Sequence, residues 1–402
     1  FGSSHDIAQG HIAVNKEVTH FLVCLFWIVA GKMQCCVYST LGALAAGACT
    51  WFQCKRKAGA AEDVPKKMRR VVLLEANKDI KLAKLEVQEV DMPKPRSGQV
   101  LVKVAAAAIN PSDDGVWKVE PKQGYPFALG NEGSGKVVQS GGGYLASRLL
   151  GRNVAFGGKA YAEYACVDAM QVFSLPDQIP VGDACSFFVN PFTVIGIVDT
   201  VKTSGGKVFI HTAAASQLGI MMVRYCKQVG MTVVNLVRRP EQVEVLQKAG
   251  AEHIVNTGDT DWQSKLEVLI KELGIKHAFD CIAGDMPGTI LTMMPPGSSL
   301  WVYGRLSDQA VGGVQPLDLI YRGKKIQGFL LTNWLFKGGQ ISALRKSMRT
   351  ASIVKKYLNT VFASSYKDTN LDDLHKDYIA FKASGNTGLK MRVQPHGPPV
   401  KS

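Results

Sequence analysis

The order of apolar and polar positions from Arg70 onward changes texture partway along the chain. In the first stretch, segments of strand composition at 71–74, 80–87 and 100–107 are separated by Pro93, Pro95 and Gly98, and further strand-like pieces fall at 135–139, 153–156 and 162–167. Short apolar runs broken by proline and glycine predict a small, irregular β domain. Around Pro191 the pattern switches to strands alternating with helix-length segments. These are Val208–His211, a helix at 218–229 closed by Gly230, Thr232–Val237, a helix at 241–249 closed by Gly250, His253–Asn256, Trp262–Leu273 closed by Gly274, and 277–282. Two more strands are expected at 300–303 and 325–331. Strands separated by helices of this length predict an α/β protein with a parallel, doubly wound sheet. The part from 341 to 391 returns to helices, with a last strand at Lys390–Val393.

Composition supports a folded, two-domain protein: 402 residues, 46% hydrophobic and 20% charged, allow a large buried core. Lysine and arginine outnumber acids 47 to 33, and a formal charge of +14 favours anionic partners such as phosphorylated cofactors, acidic carrier proteins or membrane surfaces. Nucleic acid is not an expected partner. Five of the nine cysteines, Cys24, Cys35, Cys36, Cys49 and Cys54, crowd the first segment, and Cys166, Cys185, Cys226 and Cys281 are scattered over the rest. Without a CxxC pair or a cluster of four, neither a disulfide framework nor a structural zinc lobe is indicated, and a reduced intracellular protein is expected. His5, His11, His20, His375 and His396 form no metal-ligand spacing, so no metal site is predicted.

Two apolar stretches, 21–30 and 34–52, precede the globular sequence, and the second has about the length that crosses a bilayer. Gly42, Ala43, Ala45, Ala46, Gly47 and Ala48 keep it only mildly hydrophobic. Lys55-Arg56-Lys57 and then Lys66, Lys67, Arg69 and Arg70 follow it. A membrane anchor facing the cytoplasm, a cleaved peptide addressing a mitochondrion or other organelle, and a disordered tail all fit this pattern. The first methionine is Met33, and the natural chain is expected to start there.

The clearest chemical motif is the run from Ile210 through His211, Thr212, Ala213, Ala214, Ala215, Ser216, Gln217 and Leu218 to Gly219, a strand entering a turn of small residues and then a helix. It follows the dinucleotide fingerprint with Ala214, Ser216 and Gly219 in the three glycine places. Small side chains let the backbone approach a pyrophosphate, which a helix N-terminus stabilises with its exposed N–H groups. Such a turn is also ordinary packing. At the end of the next strand, where an NAD site carries an acid, the chain has Arg238-Arg239-Pro240-Glu241. Guanidinium groups suit a 2′-phosphate, so NADPH is the expected cofactor. A solvated charge pair is the plainer reading.

Asn110-Pro111-Ser112-Asp113, Gly130-Asn131-Glu132-Gly133, Val189-Asn190-Pro191, the run 211–239, Gly250-Ala251-Glu252-His253 and Gln327-Gly328-Phe329 occur in one order along residues 70–393. In these motifs the chain resembles the zinc-free quinone oxidoreductase and mitochondrial 2-enoyl thioester reductase branch of the medium-chain dehydrogenase/reductase superfamily. The resemblance implies a β-rich, chaperonin-10-like catalytic domain split around a Rossmann domain. The expected division is an N-terminal extension at 1–64, the catalytic domain at 65–190, the Rossmann domain at 191–331 and a catalytic C-terminal part with tail at 332–402. Zinc-dependent relatives carry a cysteine where this chain has its Asn110–Asp113 motif and a histidine at the place of Asn131. Reduction of an activated C=C bond or of a quinone needs no Lewis acid, whereas alcohol oxidation does.

The same resemblance implies that Asn110, Asn131, Asn190 and Thr193 lie near the nicotinamide or the substrate carbonyl; turn chemistry is the alternative for the two Asn-Pro pairs. Ala214, Ser216, Gln217, Leu218, Gly219, Arg238 and Arg239 are expected to bind the cofactor. Tyr303 ends a parallel strand, where ligands collect, or else packs in the core. Enoyl thioester reductases of this branch carry a tyrosine between the Asn-Pro-Ser-Asp and Gly-Asn-Glu-Gly motifs. Here the matching place falls near Pro121, and Tyr125 is the candidate proton donor or a hydrophobic plug. The expected activity is NADPH-dependent reduction of a 2-enoyl thioester, with quinone reduction or a non-catalytic NADPH-binding subunit as alternatives. A basic cluster, Arg345, Lys346, Arg349, Lys355 and Lys356, is either a docking site for an acidic carrier or coenzyme A phosphate, or a solvated helix face. A homodimer is a further expectation from relatives.

Overall fold

The computed structural model describes residues 63–385 and 387–397. The expected N-terminal targeting or anchoring segment and the start at Met33 lie outside the described residues. The chain opens with strands β1 (Lys67–Glu75), β2 (Lys84–Asp91) and β3 (Gln99–Ala108) and helix α1 (Pro111–Trp117). Strands β4 (Phe127–Ala128) and β5 (Glu132–Ser140), helix α2 (Tyr144–Leu149) and strands β6 (Asn153–Gly157), β7 (Tyr164–Asp168) and β8 (Val172–Ser174) follow. The strand expected at 80–87 begins only at Lys84. Asn77 and Asp79 accept from the N–H groups of Asp79 and Lys81, both at 3.0 Å, and these side-chain turns hold 77–81 out of the ladder.

Helix α3 (Val189–Thr203) opens the second unit. Ten of its fifteen residues are buried, which erases the one-sided periodicity by which a surface helix is read. Then come β9 (Val208–His211), α4 (Gln217–Val229), β10 (Thr232–Val237), α5 (Pro240–Ala249), β11 (His253–Asn256), α6 (Trp262–Leu273), β12 (His277–Asp280), α7 (Met286–Met293), β13 (Ser299–Val302), α8 (Pro316–Ile320) and β14 (Lys325–Gly328). All five pairings among these six strands are parallel, in the order β11-β10-β9-β12-β13-β14. Winding reverses between β9 and β12, which opens a crevice at their carboxyl ends. Gly230, Gly250 and Gly274 end their helices at positive φ.

Helices α9 (Leu331–Phe336) and α10 (Gly339–Tyr357) place Trp334, Leu335, Ala351 and Val354 in one core with α3 and α4, and Trp334 Nε1 donates to Asp199 at 2.9 Å. Strand β15 (Tyr366–Thr369), helix α11 (Leu374–Ala383) and strand β16 (Lys390–Val393) follow. Of the 332–402 segment, it is β15 and β16 that rejoin the β-rich sheet, in the order β15-β16-β3-β5-β6-β8 with β7 on β3. Two apolar layers cover the parallel sheet, one under α3, α4, α9 and α10 and the other under α6 and α7.

Candidate active site

The carboxyl ends of β9 and β12 are tied to each other. Thr212 Oγ1 donates to Asp280 Oδ1 at 2.8 Å and accepts from the Cys281 N–H at 3.0 Å, while Asp280 Oδ2 accepts from the N–H groups of Ile282 and Ala283 at 3.1 and 2.7 Å. Ala213 and Ala283 follow in the left-handed region, at φ 48° and 65°, a conformation that alanine adopts only when its surroundings impose it. The backbone thus bends away from the sheet on both sides of the switch point.

The turn after β9 is shaped for close approach. Ser216 caps α4 by accepting from the Gly219 N–H at 3.2 Å. A Cβ at Gly219 would lie 2.0 Å from the Ala214 carbonyl oxygen, so the third fingerprint position admits glycine alone. Ala214 is buried, with its N–H spent on Leu236 O, and Leu218 packs against the core. What remains for an anion is the first-turn N–H groups of Gln217 and Leu218, which no intrahelical carbonyl reaches. The Gln217 side chain donates to Gly388 O, and the Gly388 N–H donates to Ala215 O at 3.0 Å, so the β-rich domain closes on this turn.

Arg238 and Arg239 end β10 in different environments. Arg238 is exposed and has no ion-pair partner among the described residues; its N–H donates to Gln242 Oε1 at 2.9 Å. Arg239 is engaged: Nη2 donates to Gly385 O at 2.8 Å and Thr387 Oγ1 at 3.0 Å, and Nε pairs with Glu241 at 2.9 Å. The sequence does not distinguish the two; their tertiary partners do.

Tyr303 leaves β13 and reaches back across the crevice floor, its hydroxyl 2.7 Å from His211 Nε2. Burial holds His211 neutral, its pKa pushed down to about 4, and raises the Tyr303 phenol well above its ordinary value. Burial likewise pushes the Cys281 thiol up to about 12, which leaves it protonated and unreactive.

The β-rich side is organised by Glu132. Its Oε1 accepts from Asn110 Nδ2 at 2.9 Å and lies 3.5 Å from the Lys390 ammonium; its Oε2 accepts from the N–H groups of Phe188 and Val189 at 3.0 and 2.9 Å, at the start of α3. Lys390 also donates to Asn110 Oδ1 at 2.6 Å. Both ends of the Asn110 amide are therefore used, and Asn110 acts in this arrangement as a strut. Beside it, Asp113 accepts from the N–H groups of Asn110 and Asn131 at 2.8 and 3.0 Å, and burial pushes its carboxyl up to about 6.

Asn190, on the first turn of α3 next to the Glu132 anchor, is 8% exposed and has no side-chain partner among the described residues. Thr193 donates to Val189 O at 2.7 Å. Tyr125 is held at the end of β1: its phenol oxygen accepts from the Ala76 N–H at 2.9 Å, and the residue is 37% exposed. The fold thus gathers the turn, both arginines and Tyr303 along one edge and links Asn110 with the Asn190 helix through Glu132. Glu132 and Lys390 are 258 residues apart, and only the sheet brings them together. Among the described residues, no three His, Cys, Asp or Glu side chains are grouped to hold a metal ion.

Residues 96–177 match the family model described as an alcohol dehydrogenase GroES-like domain, and residues 218–349 the one described as a zinc-binding dehydrogenase. The mitochondrial enoyl-[acyl-carrier-protein] reductase of Xenopus tropicalis is 29% identical over 263 residues, which are 62% of this chain and 74% of the relative. The human protein of that name is 26% identical over 264 residues, 62% of this chain and 69% of its own. A solved Mesorhizobium loti structure, carrying a provisional NADPH:quinone reductase assignment, is 28% identical with a TM-score of 0.72 and covers 83% of this chain and 100% of that one. The chain belongs to the medium-chain dehydrogenase/reductase superfamily.

Proposed function

We propose that this chain is an NADPH-dependent oxidoreductase that reduces the activated C=C bond of a 2-enoyl thioester. The observation that carries the cofactor assignment is Arg238, an exposed guanidinium at the end of β10 without an ion partner among the described residues, beside a turn in which Gly219 leaves a cradle that a Cβ would fill. In this reading the turn from Ala214 through Ser216 to Gly219 receives the pyrophosphate. Arg238 takes the 2′-phosphate, and Arg239 joins it by exchanging its bonds to Gly385 and Thr387. Several structural neighbours contain NADP or NADPH, among them an Escherichia coli quinone oxidoreductase complexed with NADPH, at a TM-score of 0.67.

A bound nicotinamide supplies the hydride. The amide of Asn190 meets the substrate carbonyl, Asn110 and Glu132 fix the first turn of α3, and the Thr193 hydroxyl oxygen remains free to accept. Because the Tyr125 oxygen accepts from a backbone N–H, its own proton stays available for donation to the α carbon. Tyr303 and neutral His211 would offer an uncharged surface to the nicotinamide at the carboxyl ends of β13 and β9. The thioester assignment follows the names of the sequence relatives; the provisional assignment of the Mesorhizobium loti structure favours a quinone as the second reading.

The relatives are named as mitochondrial, and a mitochondrial address is part of the same proposal. So is a homodimer joined at the β14 edge, next to which Leu317, Ile320 and Tyr321 are exposed. Purified protein with NADPH and either crotonyl and longer enoyl-CoA substrates or a panel of quinones separates the two activities; turnover with quinones alone rejects the thioester. Arg238→Ala should raise the KM for NADPH by about 10- to 100-fold, the worth of one charge-assisted contact, with the KM for NADH little changed. Equal effects on both cofactors would remove the 2′-phosphate assignment.

A further inference from the structure

Between Asp318 and Asp368 the chain carries no acidic residue and ten lysines and arginines. Helix α10 lies at the centre of this stretch. Its inward face is Ala343, Thr350, Ala351 and Val354; its outward face holds Ile341, Leu344, Arg345, Met348, Arg349 and Lys356. At 3.6 residues per turn, the three apolar members fall within about 60° of arc and the three cations within the next 80° or so. Ile341 is 70% exposed and Met348 66%, so a contiguous apolar stripe faces water on a face with no packing reason to be apolar.

The stripe borders a depression of about 310 Å³ lined by Gly338, Ile341, Ser342, Arg345, Lys346 and Arg349. Lys346 is committed to the carbonyls of Trp334 and Lys337, at 2.7 and 3.1 Å. Arg345 has no ion partner among the described residues, and Arg349 has only Asp199, at 3.9 Å. A solvated helix face needs the cations and not the apolar stripe; a protein-binding groove needs a concave apolar floor, and here the apolar residues stand at the lip. Apolar side chains projecting beside exposed guanidiniums match the boundary between acyl chains and phosphate headgroups.

We infer that the outward face of α10 is a docking surface for an anionic lipid bilayer, with Ile341, Leu344 and Met348 entering the acyl boundary and Arg345 and Arg349 on the headgroup phosphates. The test is hydrogen exchange on the full chain with phosphatidylcholine vesicles, with and without phosphatidylserine. Amides of 338–349 should gain protection with the anionic vesicles, less so as salt is raised. Arg345→Glu/Arg349→Glu should weaken vesicle partitioning through this face by roughly 30-fold or more, the worth of two lost cations. Ile341→Ser/Met348→Ser should abolish the protection, and both variants should keep the thermal midpoint and solution turnover of the parent. The inference falls if vesicles bind without protecting 338–349, if pure phosphatidylcholine protects equally, or if the substitutions change nothing. It falls also if protection appears only with a second copy of the chain or a soluble acidic protein.

Discussion

The two sides of the cleft are built on opposite principles. At the carboxyl edge of the parallel sheet, the candidate site is made by backbone shape: small side chains, two alanines at positive φ, a glycine that tolerates no Cβ and a neutral histidine below. The β-rich domain is built on buried charge, with Lys390, Glu132 and Asn110 locking β16, β5 and the start of α3 into one network. A crevice for a phosphorylated ligand must stay open and polar by its N–H groups, whereas a strut must be fully satisfied before it can hold anything.

The sharpest way to break this contrast is Lys390→Met. It leaves Glu132 charged and buried without a cation, and about 3–5 kcal/mol of unfolding free energy should be lost in urea titration. Adding Glu132→Gln should recover part of that loss. A Lys390→Met loss well under 1 kcal/mol would mean that the network supports nothing.

The two sides also carry groups displaced in opposite directions, which acid titration separates. His211 stays neutral in the fold down to about pH 4, while the unfolded chain takes up its proton near 6.5. Its contribution therefore falls as pH drops through that window, by about 3 kcal/mol at the acid limit. Asp113 retains its proton in the fold up to about pH 6 and loses it near 3.8 when unfolded, so its contribution falls as pH rises from 3.8 to 6. His211→Phe should make the protein more tolerant of acid, and Asp113→Asn should flatten the opposing slope. Parallel changes in urea midpoints across this range would contradict the assignment.

Gly219→Ala is expected to cost about 1–3 kcal/mol through overpacking against Ala214. Its effect on NADPH affinity, read by fluorescence titration, should exceed its effect on stability. The smallest change is Ser216→Ala, which removes the cap of α4 for about 1 kcal/mol and should leave the preference for NADPH over NADH intact.

How much was legible follows the same divide. Strands β9, β10 and β11 and helix α6 lie where the alternating texture and the stop glycines put them, since those signals are local. Helix α3 hides because it is apolar on nearly every side, and α1 because Asn110-Pro111 reads equally as a turn and as a helix start. Residues 80–83 look like strand by composition, yet Ile80 and Ala83 are buried from a turn that Asn77 and Asp79 impose. The turn at 212–219 and the arginine pair could be read in order along the chain. The roles of Glu132, Lys390 and Asp113 could not, because each depends on groups from distant strands.

The contacts of Gly388 with Ala215 and Gln217, and of Arg239 with Gly385 and Thr387, make the turn before β16 a clasp across the domain boundary. In the proposed complex Arg239 leaves its half of this clasp for the 2′-phosphate, so the arrival of the coenzyme would be felt as a loosening of the domain boundary at Gly385 and Thr387.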